Sequence, residues 1–374
     1  MMQRLNRSRC LAAAGVLAIA ACCTERHATP KAEPLTDVWK ALKEGKANPA
    51  AASRAPAPPD PPIVEETEPK TLQEQREGLY ARMKERLQLS DDVLGRIKAL
   101  FEGSKVMGQG NPAITEHPMT RKACREIRAS AGLPYYTMHP PCGVVNMVPI
   151  YNTKDGQTDR DAQVCIDQYE FPNLPCEYPV VHVQANEAVE LCQAMGKRLC
   201  DAHEWEGACA GSLRAAALEY AWGKDRGAMK WTARDGREIV WAYGAKQDHT
   251  KCATGSHKNK KCGGGGWKNC GSNTYPTGAF PLCVSRFGVF DQHGNAAEHM
   301  NLPMNAEQVA SKGTYGETEM KGSWFVFQTY SAHEDDCRWR APDWHVSKVM
   351  DRNSHSNYHL GFRCCMDVKP HVAP

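Results

Sequence analysis

The chain has 374 residues, 24% of them charged, with a formal net charge of only +3 and no long basic run, so nothing in it supports nucleic-acid binding. It carries 17 cysteines, and no CxxC…CxxC pattern with zinc spacing appears among them. A cysteine content of this kind belongs to an oxidising compartment, where disulfides persist.

The N-terminus points to the same compartment. Arg4, Arg7 and Arg9 form a positive start, and Leu11 to Ala21 is an apolar run too short to cross a bilayer as a helix. Residues 1–21 therefore read as a secretory signal. The run ends in "IAAC", which resembles a bacterial lipobox. That resemblance implies lipidation at Cys22, a membrane partner reached through the lipid anchor, and a place in the cell envelope, facing the periplasm or on the outer-membrane surface. An ordinary signal peptide cut nearby is the alternative. Cys23 follows rather than Asp, so by the same resemblance nothing marks inner-membrane retention.

Residues 22–70 are rich in Ala and Pro and read as a flexible tether, with "LTDVWKALKEGK" (35–46) as a short helix inside it. In residues 71–110, Leu72, Leu79, Met83 and Leu87 recur at helical spacing. Ser90 can cap a second helix carrying Val93, Leu94, Ile97, Leu100 and Phe101. The two predict a helical hairpin. A cysteine-containing connection, 111–160, leads into 161–370, where Gly, Pro, Cys and Trp become frequent.

Two helices are predicted in this last part. Residues 186–195 place Ala188, Leu191, Cys192 and Met195 on one face, and Gly196 ends the helix. Asp201 then caps the next one, with Glu204 completing a capping box and Trp205 and Cys209 sharing a face. The remainder reads as short strands and long loops. Fourteen cysteines lie between Cys124 and Cys365, enough for seven bridges, whose pairing the spacing alone does not specify.

Four motifs in this region occur in a familiar order. "YPVVHVQANEAVELCQAMGKRLCDAHEWEGACAG" (178–211) is followed by "FGVFDQHGNAAEHM" (287–300), "KGSW" (321–324) and "HLGFRCC" (359–365). Together with "YAWG" (220–223), they resemble the signature of the formylglycine-generating enzyme, or sulfatase-modifying factor, domain over about residues 160–368. The resemblance implies an α+β fold, a variant of the C-type-lectin-like fold with little regular structure and many disulfides.

Three chemical expectations come with it. Family members bind calcium at the GN…E motif. The corresponding positions are Asp291, the carbonyls of Gly294 and Ala296, and Glu298, hard oxygen donors suited to that ion. Read without the family, "DQHGNAAE" is a Gly-containing turn with acidic ends. The family pairing of cysteines implies bridges Cys192–Cys364 and Cys209–Cys337. Finally, the enzymes oxidise a substrate cysteine with two thiolates that bind copper(I). The matching positions here are Val326 and Ser331, neither of which can supply a thiolate, so copper is not expected.

Substitutes for the missing pair are weak in the sequence. His333, His345, His355 and His359 lie in the C-terminal loops, and His355 and His359 are four apart in a segment that reads as loop. Asp335 and Asp336 read as a solvated turn. Trp339 and Trp344 with Arg338 and Arg340 read either as core or as the lining of a recognition groove. The sequence thus predicts a noncatalytic extracytoplasmic scaffold or binding lipoprotein for a peptide or glycan, without assigned catalytic residues. A formylglycine-type oxidase, or another metal-dependent oxidation on the same fold, is the alternative.

Overall fold

The computed structural model describes residues 57–220, 222, 240–309, 314–324, 334–340 and 346–368. The signal segment, Cys22, the 35–46 helix, Val326, Ser331, His333, Trp344 and His345 lie outside the described residues.

The helical hairpin is formed by α1 (Leu72–Arg86) and α2 (Asp91–Gly103). Thr71 caps the first by accepting the Glu74 N–H, and Ser90 caps the second by accepting that of Val93. The sequence sets this hairpin apart as 71–110, but in the structure it shares a core with residues of the C-terminal region. Leu79, Met83, Ile97 and Phe101 are fully buried in one cluster with Val189, Leu191 and Phe362. Two short helices cannot bury their apolar stripes on each other alone, and a third layer completes the burial. Each such side chain contributes about 1.5–3 kcal/mol.

The third layer is α4 (Ala185–Ala194), which comes after α3 (Arg121–Ser130) in the chain. A four-stranded sheet stands beside it, in the order β1 (Met147–Ile150), β2 (Val164–Asp167), β7 (Cys364–Asp367), β3 (Arg198–Leu199), with all neighbours antiparallel. A second sheet has the order β5 (Glu317–Lys321), β4 (Ala297–Leu302), β6 (Leu360–Phe362), with β4 and β6 parallel. Between the sheets lies α5 (Ala202–Ala210), whose Trp205 and Cys209 are both buried in a second core cluster. The architecture is the expected α+β with few regular elements.

Cross-links supply much of the remaining constraint. All fourteen cysteines from Cys124 onward are paired, in seven bridges. Cys192–Cys364 ties α4 to β7, and Cys209–Cys337 ties α5 to the C-terminal loops, the two pairs that the resemblance implies. Closing loops of 172 and 128 residues removes substantial entropy from the unfolded chain.

One stretch departs from the sequence reading. Residues 57–70 fall inside the region read as a flexible tether (22–70), yet they are held against the folded body. Asp60 accepts the Tyr135 N–H, Arg125 donates to the Pro61 carbonyl, and Glu66 pairs with Arg86. Ala/Pro-rich composition argues against a core, but it does not prevent a chain from being held by charge.

Candidate functional site

Two consecutive residues of α5 face two different clusters of buried charge. The helix is set by its capping box, in which the Asp201 N–H donates to Glu204 Oε2 at 2.8 Å. Trp205 then turns its indole N–H toward Glu298, at 3.2 Å, while Glu206 meets Lys321, the cross-strand neighbour of Glu298, and Arg340.

The first cluster holds three buried carboxylates, Glu170, Asp291 and Glu298. Arg363 of the GFR motif grips Glu298 with two bonds of 2.6 Å, Nε to Oε2 and NH2 to Oε1. Glu170 accepts from the Ala296 N–H at 2.9 Å and from Asn295 Nδ2 at 2.6 Å. Asp291 accepts the Gly278 N–H on Oδ2. The cluster is rich in negative charge. Burial first, then neighbouring Asp291 and Glu298, push the Glu170 carboxyl well above the usual range. Burial likewise raises Asp291, to about 6, against the hydrogen bond from the Gly278 N–H and the charges of Arg363 and Arg128.

The loop carrying these groups has unusual backbone. Asp291, Gly294 and Asn295 all have positive φ, of 57°, 80° and 58°. Gly and Asn accept this region most readily, which is why "DQHGN" can turn so tightly. Asn295 Oδ1 also takes the Tyr275 N–H at 2.8 Å, locking the turn. Two motif glycines owe their identity to crowding. A Cβ on Gly361 would lie 2.8 Å from the Val180 carbonyl oxygen, and Gly322, at φ +70°, sits against Gln292 and Trp205.

The donor chemistry suits a hard cation, although among the described residues Glu170, Asp291 and Glu298 are not gathered into a group of three within ligating reach of one another. Glu298 Oε2 already accepts from both Arg363 and Trp205, but Oε1 accepts from Arg363 alone among the described residues and retains a lone-pair direction. Asp291 has Oδ1 beyond its bond to Gly278. Both carboxylates are buried where extra positive charge would be favourable.

The second cluster sets two cations, Lys321 and Arg340, against Glu206 and the buried Glu319, which favours the charged form of both. Glu206 Oε1 accepts from Lys321 Nζ and Arg340 Nε, both at 2.9 Å. Burial opposes the charged form of Glu206, but Arg340 and Lys321 outweigh it and hold the carboxyl at about 2. Lys321 also lies 5.4 Å from the centre of the Trp205 ring, so Trp205 contacts both clusters. Beside it, Arg338 pairs with Glu219 at 3.2 Å.

His293 joins the GN loop to the Cys337 segment. Its Nε2 accepts the Ala242 N–H at 2.8 Å, so Nδ1 carries the proton and donates to the Asp335 carbonyl at 2.7 Å. Burial holds the ring neutral. Its Nε2 is also 3.4 Å from Cys209 Sγ, placing it beside the Cys209–Cys337 bridge.

The remaining sequence candidates are structural in this arrangement. Asp335 is buried rather than solvated and accepts from Trp241 Nε1 and Gln247 Nε2, while Asp336 is buried and accepts the Arg338 N–H. Arg338 and Arg340 are buried among their carboxylate partners, so they do not line an open groove. Trp339 packs against Ala297, Met320 and Leu360. His359 stacks on Trp324 with ring centres 3.9 Å apart, and among the described residues neither His355 nor His359 joins a group of three metal-ligating side chains. Copper does not fit the described thiols, because Cys337 is bonded to Cys209. Sequence reasoning did not pick out Glu170, Arg363, Glu206, Lys321 or His293. Arg363, Lys321, Glu206 and His293 stood inside quoted motifs, and the available signal for Glu170 was an acid among the apolar residues of "VCIDQYEFP" (164–172), which also holds Asp167.

Comparison with known families agrees with this geometry. The family model described as sulfatase-modifying factor enzyme 1-like domain matches residues 113–368, more than half the chain. The protein belongs to that family, and its fold is of the formylglycine-generating-enzyme type. Among solved structures, a crystal structure of CarF is similar at 15% identity, over 51% of this chain and 68% of that chain, with a TM-score of 0.28.

Proposed function

We propose that this protein is a noncatalytic member of the family, an exported lipoprotein whose domain serves as a scaffold or as a binding module for a peptide or glycan. The observation that carries this reading is the state of the cysteines. The copper-ligand positions are Val326 and Ser331 in the sequence, and each of the fourteen cysteines from Cys124 onward is committed to a disulfide. A two-thiolate copper(I) site needs two free thiols that this region does not offer. The disulfide content is consistent with export, and the lipid anchor at Cys22 supplies attachment.

Calcium belongs to the same reading. Asp291, the carbonyls of Gly294 and Ala296, and Glu298 would hold it, and its role would be to neutralise the acidic cluster and pin the "DQHGN" turn.

The test is alkylation of the folded, unreduced protein, mapped by peptide mass spectrometry, with elemental analysis of the same sample. The expected result is no alkylated cysteine from 124 to 365, with calcium bound and copper absent. Two alkylated cysteines with stoichiometric copper would overturn the proposal.

A further inference from the structure

The segment "APPDPPIVEETEPK" (57–70) lies across a cationic groove between α1 and α3. Its five prolines favour an extended chain. Four of its carboxylates meet cations or backbone donors. Both oxygens of Asp60 lie 3.1 Å from the Tyr135 N–H, and Lys122 pairs with Glu65 at 3.2 Å. Glu66 contacts Arg86 at 3.2 Å and Arg82 at 3.3 Å, and Glu68 lies 3.6 Å from Arg121. The Pro61 carbonyl accepts from Arg125.

Two features distinguish this contact from ordinary core packing. The apolar residues of the segment are not what hold it, because Ile63 is 40% and Val64 51% exposed. The cations, moreover, are positioned from beneath. Glu177, wholly buried, accepts from Arg82 Nε and, at 2.8 Å, from Arg121 Nε. Arg121 also lies over the Tyr178 ring at 4.3 Å, and Arg86 donates to the Tyr135 hydroxyl at 3.2 Å. One buried carboxylate leaves several of these positive charges to be balanced, and the acids of the segment balance them.

We infer that this groove is a docking site for an acidic, proline-rich extended peptide, filled in cis by residues 58–68 as a detachable latch. Its hold is electrostatic, so rising ionic strength or a competing acidic segment releases it. Release would return these eleven residues to the tether and lengthen its reach by up to about 34 Å, at roughly 3.1 Å per residue. This inference stands apart from whether the domain is catalytic.

Two measurements on the full chain test it. In the first, the probe is a fluorescein-labelled synthetic peptide with the sequence of residues 57–70. The variant Glu66→Lys/Glu68→Lys, whose own segment no longer fits the groove, is expected to bind the probe at least tenfold more tightly than the unaltered protein. That binding should be lost at high salt and with a probe whose acids are replaced by glutamine. Equal binding to both proteins, or binding of the neutral probe, would overturn the proposal. The second uses the unaltered chain and stands even if the variant fails to fold. Cleavage by a glutamate-specific protease after Glu65 and Glu66 should accelerate with added NaCl, relative to cleavage of the free peptide in the same buffer. A relative rate independent of salt would show that the segment is not an electrostatic latch.

Discussion

The two charge clusters flanking α5 are built from similar parts and have opposite balance. On one side, Lys321 and Arg340 converge on Glu206, and the cluster meets its own electrostatic needs. On the other, Glu170, Asp291 and Glu298 gather around Arg363, and two of the three carboxyls are pushed upward. Trp205 touches both, with its N–H on Glu298 and its ring near Lys321, and these two residues are themselves neighbours across β4 and β5. Burial alone therefore does not distinguish the two clusters; their charge balance does, and the proposed calcium site is assigned to the acidic one for that reason.

The strongest way to break this comparison is to remove one partner from each side. Glu206→Gln leaves Lys321 and Arg340 buried without their carboxylate and should cost about 3–5 kcal/mol in urea unfolding, a deficit relative to the unaltered protein that is the same with and without millimolar calcium. Arg363→Met should cost a similar amount, but calcium should restore part of it. Equal responses to calcium would erase the distinction.

Next in size is the bridge beside the balanced cluster. Cys337→Ser should lose about 2–5 kcal/mol, read as a lower melting temperature under non-reducing conditions. Unchanged melting would remove the structural role assigned to Cys209–Cys337.

Calcium itself should act only on the acidic side. At about 100 times its dissociation constant it should stabilise the protein by about 2.7 kcal/mol, and chelation should reverse this. Asp291→Asn should abolish the response while leaving Glu206→Gln responsive. A response unaffected by Asp291→Asn would place the ion elsewhere.

The smallest effect is that of mild acid on the balanced cluster. Glu206 is held at about 2 in the folded protein against an ordinary 4.5, so its contribution is complete above about pH 4.5 and is lost as pH falls toward 2. At about pH 3.5 the loss should be about 1 kcal/mol, and it should be missing from Glu206→Gln. Identical acid profiles for the two proteins would show that Glu206 is not the group responsible.

Much of the fold was legible because its signals are local. Ser90, Asp201 and Glu204 are capping residues recognisable within one helical turn, and they cap as read. The ordered motifs from "YPVV" to "GFRCC" gave the family, and with it the pairs Cys192–Cys364 and Cys209–Cys337. The charge partners were not legible in the same way. Glu206 and Arg340 are separated by 134 residues and Glu298 and Arg363 by 65, and neither spacing has a period that pairs them. The tether reading of 22–70 went astray over 57–70 for a related reason: its composition has no core-forming residues, but the arginines that hold it belong to α1 and α3.

The sequence by itself determined the class of this protein: its capped helices, its cysteine-rich α+β domain and its family. Those properties reside in residue identity and short-range order. Tertiary structure decided which buried charges are satisfied and which are in excess, and where the acidic segment before α1 comes to rest. Electrostatic balance is a property of groups brought within a few ångströms of one another, and only the folded chain brings Glu206 to Lys321 and Arg340, or Glu66 to Arg86.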